Sequence, residues 1–253
     1  MKLVVTVKVV PEKIVFNKET KRIERKNVKL ILNPTDLIAA EEARKLKEEN
    51  PGSNLIAISM GPPNTETVLK SLFKFGFDRV ILISDKVFAG ADTLSTAFVL
   101  ASAIRKVEKD FDIVFTGDYS VDGATGQASA EIAAFLGVPF LSHVVSIRKN
   151  EVKRITEQNE EKFKIQRKFV ASISDSANFG ISENLFSLKT FEQKKVEVFS
   201  NSELQLDENL CGLKGARTAV LSLIQNEIKQ NEKLVTTEIG KNFVELLSKA
   251  GVL

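Results

Sequence analysis

Cysteine and histidine are almost missing from this chain: each occurs once in 253 residues, as Cys211 and His143. A single cysteine closes no internal disulfide, which fits a reducing, cytoplasmic compartment. It also excludes an iron–sulfur cluster held by this chain alone, and a single histidine without a cysteine beside it leaves no zinc ligand set. His143 lies in the apolar run LSHVV and reads as a structural histidine rather than a general base. Cys211, in a polar linker, reads as inert. No run approaches the roughly 20 apolar residues that span a bilayer, so no direct membrane insertion is expected. The apolar start of MKLVVTVKVV is too short, and too soon interrupted by charge, for a signal peptide. Charge of one sign is scarce as well. The 36 basic and 33 acidic residues are interspersed and sum to +3, without the clustered basic face of a nucleic-acid binder. Three phosphate-handling signatures are absent: GxxxxGK followed by Ser or Thr, GxGxxG after the first strand, and a Ser-Gly-Gly pyrophosphatase loop.

What is present is a core and a rhythm. Hydrophobic residues make up 43% of the chain, and its length allows one large domain with or without a smaller piece. LVVTV (3–7) is β-branched and continuously apolar, as in a strand buried on both faces. The NKET turn (17–20) between short apolar runs predicts a hairpin excursion. NPTDLIAAEEARKLKEEN (33–50) predicts a helix with Asn33 as N-cap and Pro34 at its first position. LIAIS (55–59), RVILIS (79–84) and DIVFTG (112–117) predict three more strands. TETVLKSLFKFG predicts a helix ending at Gly76, TLSTAFVLASAIRKVEKD a helix capped by Asp92, and AEIAAFLG (130–137) another. Strands alternating with helices give right-handed crossovers and a parallel sheet covered on both faces, an α/β, Rossmann-like fold. Beyond Pro139, LSHVVSIRK, EVKRITEQ and EKFKIQRKFVASIS alternate more and predict an antiparallel extension of the sheet. From about 196 the chain turns polar, and two last helices are expected, over roughly 216–230 and 238–250. They have too few apolar residues for a core of their own. The reading is therefore an α/β domain over 1–195 and a C-terminal helical arm over 196–253 packed on another subunit, with a tail folded back on its own domain as the plainer alternative.

Ligands of an open parallel sheet bind beyond the carboxyl ends of its strands. Four segments fall there: Val7–Lys8, SMGPPN (59–64), FAGAD (88–92) and GDYSVDGATGQ (117–127). In the last, glycines let backbone amides approach a ligand, and the helix beginning near Thr125 turns a positive dipole end toward an anion. Ser120, Asp122 and Thr125 are suited to ribose or phosphate oxygens. An ordinary glycine-rich turn is the plainer alternative. Glu12 reads as a surface carboxylate or a partner contact, and Lys194–Lys195 as a solvated edge. A nucleotide cradle without evident catalytic or metal-binding residues points to a carrier whose chemistry belongs to a cofactor.

VKVVPE (7–12), LNPTDLIAAEEARKLKE (32–48), LIAISMGPP (55–63), FAGADTLSTAF (88–98) and DIVFTGDYSVDGATGQASAEIAAFLGVP (112–139) follow one another in a specific order. Along nearly its whole length the chain resembles the beta subunit of electron transfer flavoproteins, the FixA family. The resemblance implies a sheet of the adenine nucleotide alpha hydrolase type and a heterodimer with an alpha subunit that carries the redox FAD. It implies an adenine nucleotide in the beta subunit: AMP in housekeeping members, or a second FAD that takes hydride from NADH in electron-bifurcating ones. The implied cofactor-binding residues are Thr6, Lys8, Asn33, Pro34, Thr35, Asp36, Ser59, Met60, Gly61, Asp92, Thr93, Gly117, Tyr119, Ser120, Val121, Asp122, Gly123, Ala124, Thr125, Gly126 and Gln127. No catalytic side chain is implied.

The implied electron donors are flavin-dependent dehydrogenases such as acyl-CoA dehydrogenases, or NADH. The implied acceptors are an electron transfer flavoprotein–quinone oxidoreductase, or ferredoxin and flavodoxin. FAGADTLSTAF and the short DGATGQ loop lean the reading toward the bifurcating branch, with FAD over AMP, although Ala124 and Gly126 stand where that branch has Asp and Ala. DSANFGISENLFSLKTFEQKK (175–195) lacks the family's Asn-x-Pro-Arg-Tyr pattern, which leaves Leu185 and Leu188 as anchors for a docking dehydrogenase. Glu12 and Lys13 stand where the family has Asp and a neutral residue. The alternative is a stand-alone adenine-nucleotide-binding regulator of the universal stress protein type. Against it, that type's motif has Gly-Ser or Gly-Thr one position before the Gly137–Val138 pair found here. A nucleotide hydrolase would have only Asp122 and Ser120 to work with.

Overall fold

In the computed structural model the amino-terminal apolar run forms β1 (Lys2–Thr6), with Leu3, Val4 and Val5 fully buried. The structure describes residues 1–13, 15–17, 22–24, 28–148, 151–156, 159–164, 168–177, 185–219 and 247–249. It divides into two units, Met1–Leu221 and Ser222–Leu253. Of the second unit, residues 247–249 are helical. Residues 216–219 are not helical, and the rest of the expected helix over 216–230 lies outside the described residues, as does nearly all of that over 238–250.

After β1, β2 (Val9–Pro11) pairs antiparallel with β5 (Leu30–Leu32), and between them β3 (Val15–Asn17) pairs with β4 (Arg22–Glu24), the hairpin excursion read from NKET. Helix α1 (Pro34–Glu49) leads to β6 (Asn54–Met60), α2 (Glu66–Lys70) to β7 (Arg79–Ile83), α3 (Thr93–Glu108) to β8 (Ile113–Gly117) and α4 (Ala128–Leu136) to β9 (Phe140–Arg148). There follow β10 (Glu151–Ile155), β11 (Glu160–Lys164), β12 (Phe169–Ile173), α5 (Leu185–Leu188), β13 (Glu197–Phe199), α6 (Asn201–Leu204) and α7 (Gly212–Gly215). Among the described residues, nine strands make one sheet in the order β11-β10-β9-β12-β8-β1-β6-β7-β13. It is parallel from β9 through β13, and β10 and β11 extend it antiparallel.

The strands alternate their side chains between two cores. Leu3, Val5, Ala57, Leu82 and Phe115 pack with Ala39, Ala43 and Leu46 of α1 and with Leu69 and Phe73. Val4, Ile56, Ile58, Ile81 and Val114 pack on the other face with Ala97 and Ile104 of α3 and with Ile132 and Ala133 of α4. The chain builds outward from β1 through β6 and β7, then crosses with α3 to the opposite face and lays β8 on the other side of β1. The strand order therefore reverses between β1 and β8. Among the described residues no helix is long and apolar enough to cross a membrane.

Four local readings change. The helix read over TETVLKSLFKFG is α2 followed by a 3-10 stretch, Ser71–Phe75, before left-handed Gly76 at φ 84°. The Ser71 hydroxyl donates to the Val68 carbonyl at 2.7 Å, a local bond that competes with the regular helix ladder. FVASIS does not belong to the antiparallel extension: β12 lies parallel between β8 and β9, buried on both faces. Its continuous apolar run is the same signature that marks β1. The polar stretch after 196, read with the arm, supplies the edge strand β13, held to β7 by a two-pronged Arg79–Glu197 pair at 2.8 and 2.7 Å. Lys194 is no solvated edge, since its ammonium donates to the Phe77 carbonyl at 3.0 Å and lies 5.2 Å from the centre of the Phe73 ring.

Glu42 joins α1 to the sheet. Its side chain is fully buried, and Oε1 accepts the Ile147 amide and the Arg148 guanidinium, each at 2.6 Å. Burial pushes its carboxyl pKa up, against the pull of those two donors. Glu42→Ala leaves the Ile147 amide without its acceptor, so a loss of about 1–3 kcal/mol is expected in urea denaturation. An unchanged midpoint would show that Glu42 adds nothing net.

Candidate functional site

The strand order reverses between β1 and β8, and a sheet of this kind has its ligand crevice beyond the carboxyl ends of those two strands. Helix α1 begins directly behind it. Asn33 occupies the N-cap position but makes no capping bond. Its amide instead donates to Thr35 Oγ1 at 2.8 Å and to the Tyr119 carbonyl at 2.9 Å, while Oδ1 accepts the Val121 amide at 3.1 Å. Thr35 Oγ1 also donates to the Tyr119 carbonyl. Asp36 accepts the Lys8 amide on Oδ2 at 2.7 Å and the Gly117 amide on Oδ1 at 3.1 Å, so one buried carboxylate ties together the ends of β1 and β8. Burial pushes its pKa up from 3.8 to about 7, against the lowering pull of the Lys8 amide, the Asn33 side chain and the Gly117 amide. The close fit requires glycine at 117, where a Cβ would collide with Asp36 Oδ1 and lie 2.5 Å from Thr35 Oγ1 and 2.8 Å from Asp36 N.

The loop 118–127 is thus fixed at its start by α1, and at its end Gln127 Oε1 accepts the Thr93 hydroxyl at 3.5 Å. The Ser120 carbonyl accepts the amides of Gly123 at 3.3 Å and Ala124 at 2.7 Å. Ala124 and Gly126 are left-handed, at φ 50° and 64°. Residues 123–127 are exposed, and the amides of Thr125, Gly126 and Gln127 have no acceptor among the described residues. The loop runs into the first turn of α4, seated by the Thr116 hydroxyl on Ser129 Oγ at 2.7 Å. From the β1 side, Lys8 Nζ reaches Asp122 Oδ1 at 2.5 Å and Ser120 Oγ at 3.3 Å.

The other expected site residues lie around this network, and of their side chains Thr93 reaches the loop, at Gln127 Oε1. Thr6 closes β1 beside Ile58, and Pro34 is the first residue of α1. At the end of β6, Ser59 is 2% exposed and its hydroxyl has no partner among the described residues. Met60 and Gly61 are partly exposed, and the Gly61 amide donates to Ile83. Asp92 caps α3 through the Ser95 amide at 2.9 Å, as read from sequence. Its other oxygen accepts the amides of Arg217 and Thr218, so it serves the chain's own later segment. Thr93 donates to Glu131 Oε1 at 3.1 Å. Leu188 is partly buried, whereas the side chain of Leu185 and residues 178–184 lie outside the described residues. Glu12 pairs with Lys29 at 2.7 Å.

The sequence reading left out a cluster beside the loop. Asp118 accepts the Ser172 hydroxyl at 2.5 Å and faces His143 Nδ1 at 3.2 Å. His143 is left-handed, at φ 54°, where the pairing register of β9 shifts against both neighbours, and its ring is 60% exposed rather than buried. The signal available was that this is the sole histidine. A β-bulge that re-aims one side chain leaves no mark in composition or spacing.

The crevice offers a cationic head, a helix N-terminus, loop amides without an acceptor among the described residues and, at the end of neighbouring β6, the buried Ser59 hydroxyl. That donor set fits a phosphate-bearing ligand with hydroxyls. The electron transfer flavoprotein domain family matches residues 20–204. The chain is 30% identical to the electron transfer flavoprotein subunit beta of Thermoanaerobacterium thermosaccharolyticum over the full length of both. It is 29% identical to the caffeyl-CoA reductase-Etf complex subunit CarD of Acetobacterium woodii, across 98% of this chain and 97% of that one. It is 33% identical to protein FixA of Azorhizobium caulinodans, across 87% of this chain and 83% of that one.

Proposed function

The chain belongs to the electron transfer flavoprotein family, alongside its beta subunits and FixA proteins, and from that premise we propose that it is the beta half of a cytoplasmic heterodimer that passes electrons between flavin-dependent dehydrogenases or NADH and a downstream acceptor. Its partner is an alpha subunit bearing the redox FAD. Its own residues bind and orient, and none of them need act as a general acid or base. An adenine nucleotide occupies the crevice. The observation that carries this reading is the loop 118–127, anchored to α1 through Asn33 and Thr35 while its last amides have no acceptor among the described residues. Asp36 acts behind the loop as a clamp on the backbone, and Lys8 and Ser120 are the side chains nearest a phosphate. The short DGATGQ loop and the likeness to a reductase-complex subunit favour FAD over AMP. FAD would supply hydride acceptance there, and AMP would be structural.

The test is to purify the chain with its alpha subunit, release the nucleotides by heat, and count them per heterodimer. Two FAD are expected. One FAD and one AMP would keep the crevice reading and assign the protein to the structural-nucleotide type. One FAD with no second adenine nucleotide would sink the crevice reading.

A further inference from the structure

Lys8 and Asp122 meet across the mouth of the crevice, one from the segment after β1 and the other from the loop after β8. Nζ stands 2.5 Å from Asp122 Oδ1 and 3.3 Å from Ser120 Oγ. The Asp122 side chain is 9% exposed and that of Lys8 46% exposed. An ammonium has three donors on a flexible stem. Two serve the loop, which leaves one to solvent. The amides of Thr125, Gly126 and Gln127, which have no acceptor among the described residues, begin three positions beyond Asp122. The loop therefore holds its own anion against a cationic head that reaches it from the β1 side.

We infer that Asp122 is an internal competitor for phosphate: it holds Lys8 in the ligand-free protein, and a phosphate group on the loop draws the ammonium away. This inference rests on the nucleotide reading of the crevice and names the phosphate, a group AMP and FAD share, as what Lys8 recognises. The charges give the direction. AMP, the phosphate monoester of the test, carries about −1.5 to −2 near neutral pH against −1 for a carboxylate, and a half-exposed ion pair is worth little by itself. What opposes the exchange is the loss of the Lys8 contact at a carboxylate that is only 9% exposed.

The test titrates AMP and adenosine, by calorimetry, into the full chain in its complex with the alpha subunit, freed of bound nucleotide. Lys8→Met is expected to weaken AMP by about tenfold to a hundredfold and to leave adenosine unchanged, while Lys8→Arg keeps most of the difference. Asp122→Asn is expected to strengthen AMP severalfold and again to leave adenosine alone, because the competitor has lost its charge. Weakening of AMP and adenosine alike by Asp122→Asn would overturn the inference, since it would place Asp122 on the ribose or in the loop's support. Lys8→Met without effect on AMP would overturn it too. Wild-type protein that binds both equally would defeat the inference and leave the nucleotide reading standing. Protein that binds neither would defeat both. Thermal unfolding of each variant checks that it is folded.

Discussion

Gly117→Ala is expected to destabilise the main unit by about 3–5 kcal/mol or to prevent its folding. Gly117 does not have a left-handed backbone, so the cause is space rather than conformation. The added methyl would collide with Asp36 Oδ1, 2.5 Å from Thr35 Oγ1 and 2.8 Å from Asp36 N. None of these atoms is the free end of a flexible side chain. Asp36 Oδ1 accepts the Gly117 amide, Thr35 Oγ1 holds the Tyr119 carbonyl, and Asp36 N is backbone in the first turn of α1. Relief means moving α1 or the end of β8, and each move breaks bonds that join the two strands flanking the crevice. Gly123→Ala is the control in the same loop. Its Cβ would meet only Ser120 Oγ, at 3.4 Å, so its effect should stay within about 1 kcal/mol. Urea denaturation of both variants reads the contrast. Equal stabilities would mean that the start of α1 yields freely and that the crevice is not rigid where the loop leaves the sheet.

This fold was legible where burial is continuous or its period plain. LVVTV, LIAIS, RVILIS and DIVFTG are all strands of the parallel sheet, and Asp92 caps α3. FVASIS was misplaced for a different reason: its own pattern was clear, but its neighbours in sequence alternate, and they set the grouping. The edge strand β13 depends on an ion pair between residues 118 positions apart, which no window of sequence contains. The site was legible by position and not by role. Asn33 is at the N-cap as expected, yet its side chain holds Tyr119 and Val121, more than 80 residues away. Asp36 was expected to face a cofactor, and the structure engages both its oxygens with backbone amides from two other elements. Spacing says that polar groups gather at the ends of strands. Which of them bind the protein and which stay open is decided by contacts between distant segments.

Asp36→Asn is expected to cost stability at pH 5 and to cost progressively less as the pH rises to 8. In the folded protein burial raises the Asp36 pKa from 3.8 to about 7. The native state therefore binds its proton more tightly than the unfolded chain does. The stability this confers is present in full below about pH 4 and is lost as the pH rises through about 7, a total of about 4 kcal/mol over the window. Asparagine does not titrate. It also turns an NH2 group toward the Lys8 or the Gly117 amide, which leaves a buried donor unsatisfied at about 1–3 kcal/mol. The wild-type advantage over Asp36→Asn should therefore shrink by about 2–3 kcal/mol between pH 5 and 8, while the other carboxylates titrate alike in both proteins and cancel. Urea denaturation at four pH values measures the difference directly. A difference that stays flat or widens would mean that the Lys8 and Gly117 amides keep the carboxylate ionised throughout. Asp36 would then be a permanent negative charge behind the loop, opposing any anion that binds there. A shrinking difference means the opposite: at neutral pH the clamp is partly protonated, and an anion on the loop would draw that proton in further, because a nearby negative charge favours the neutral acid.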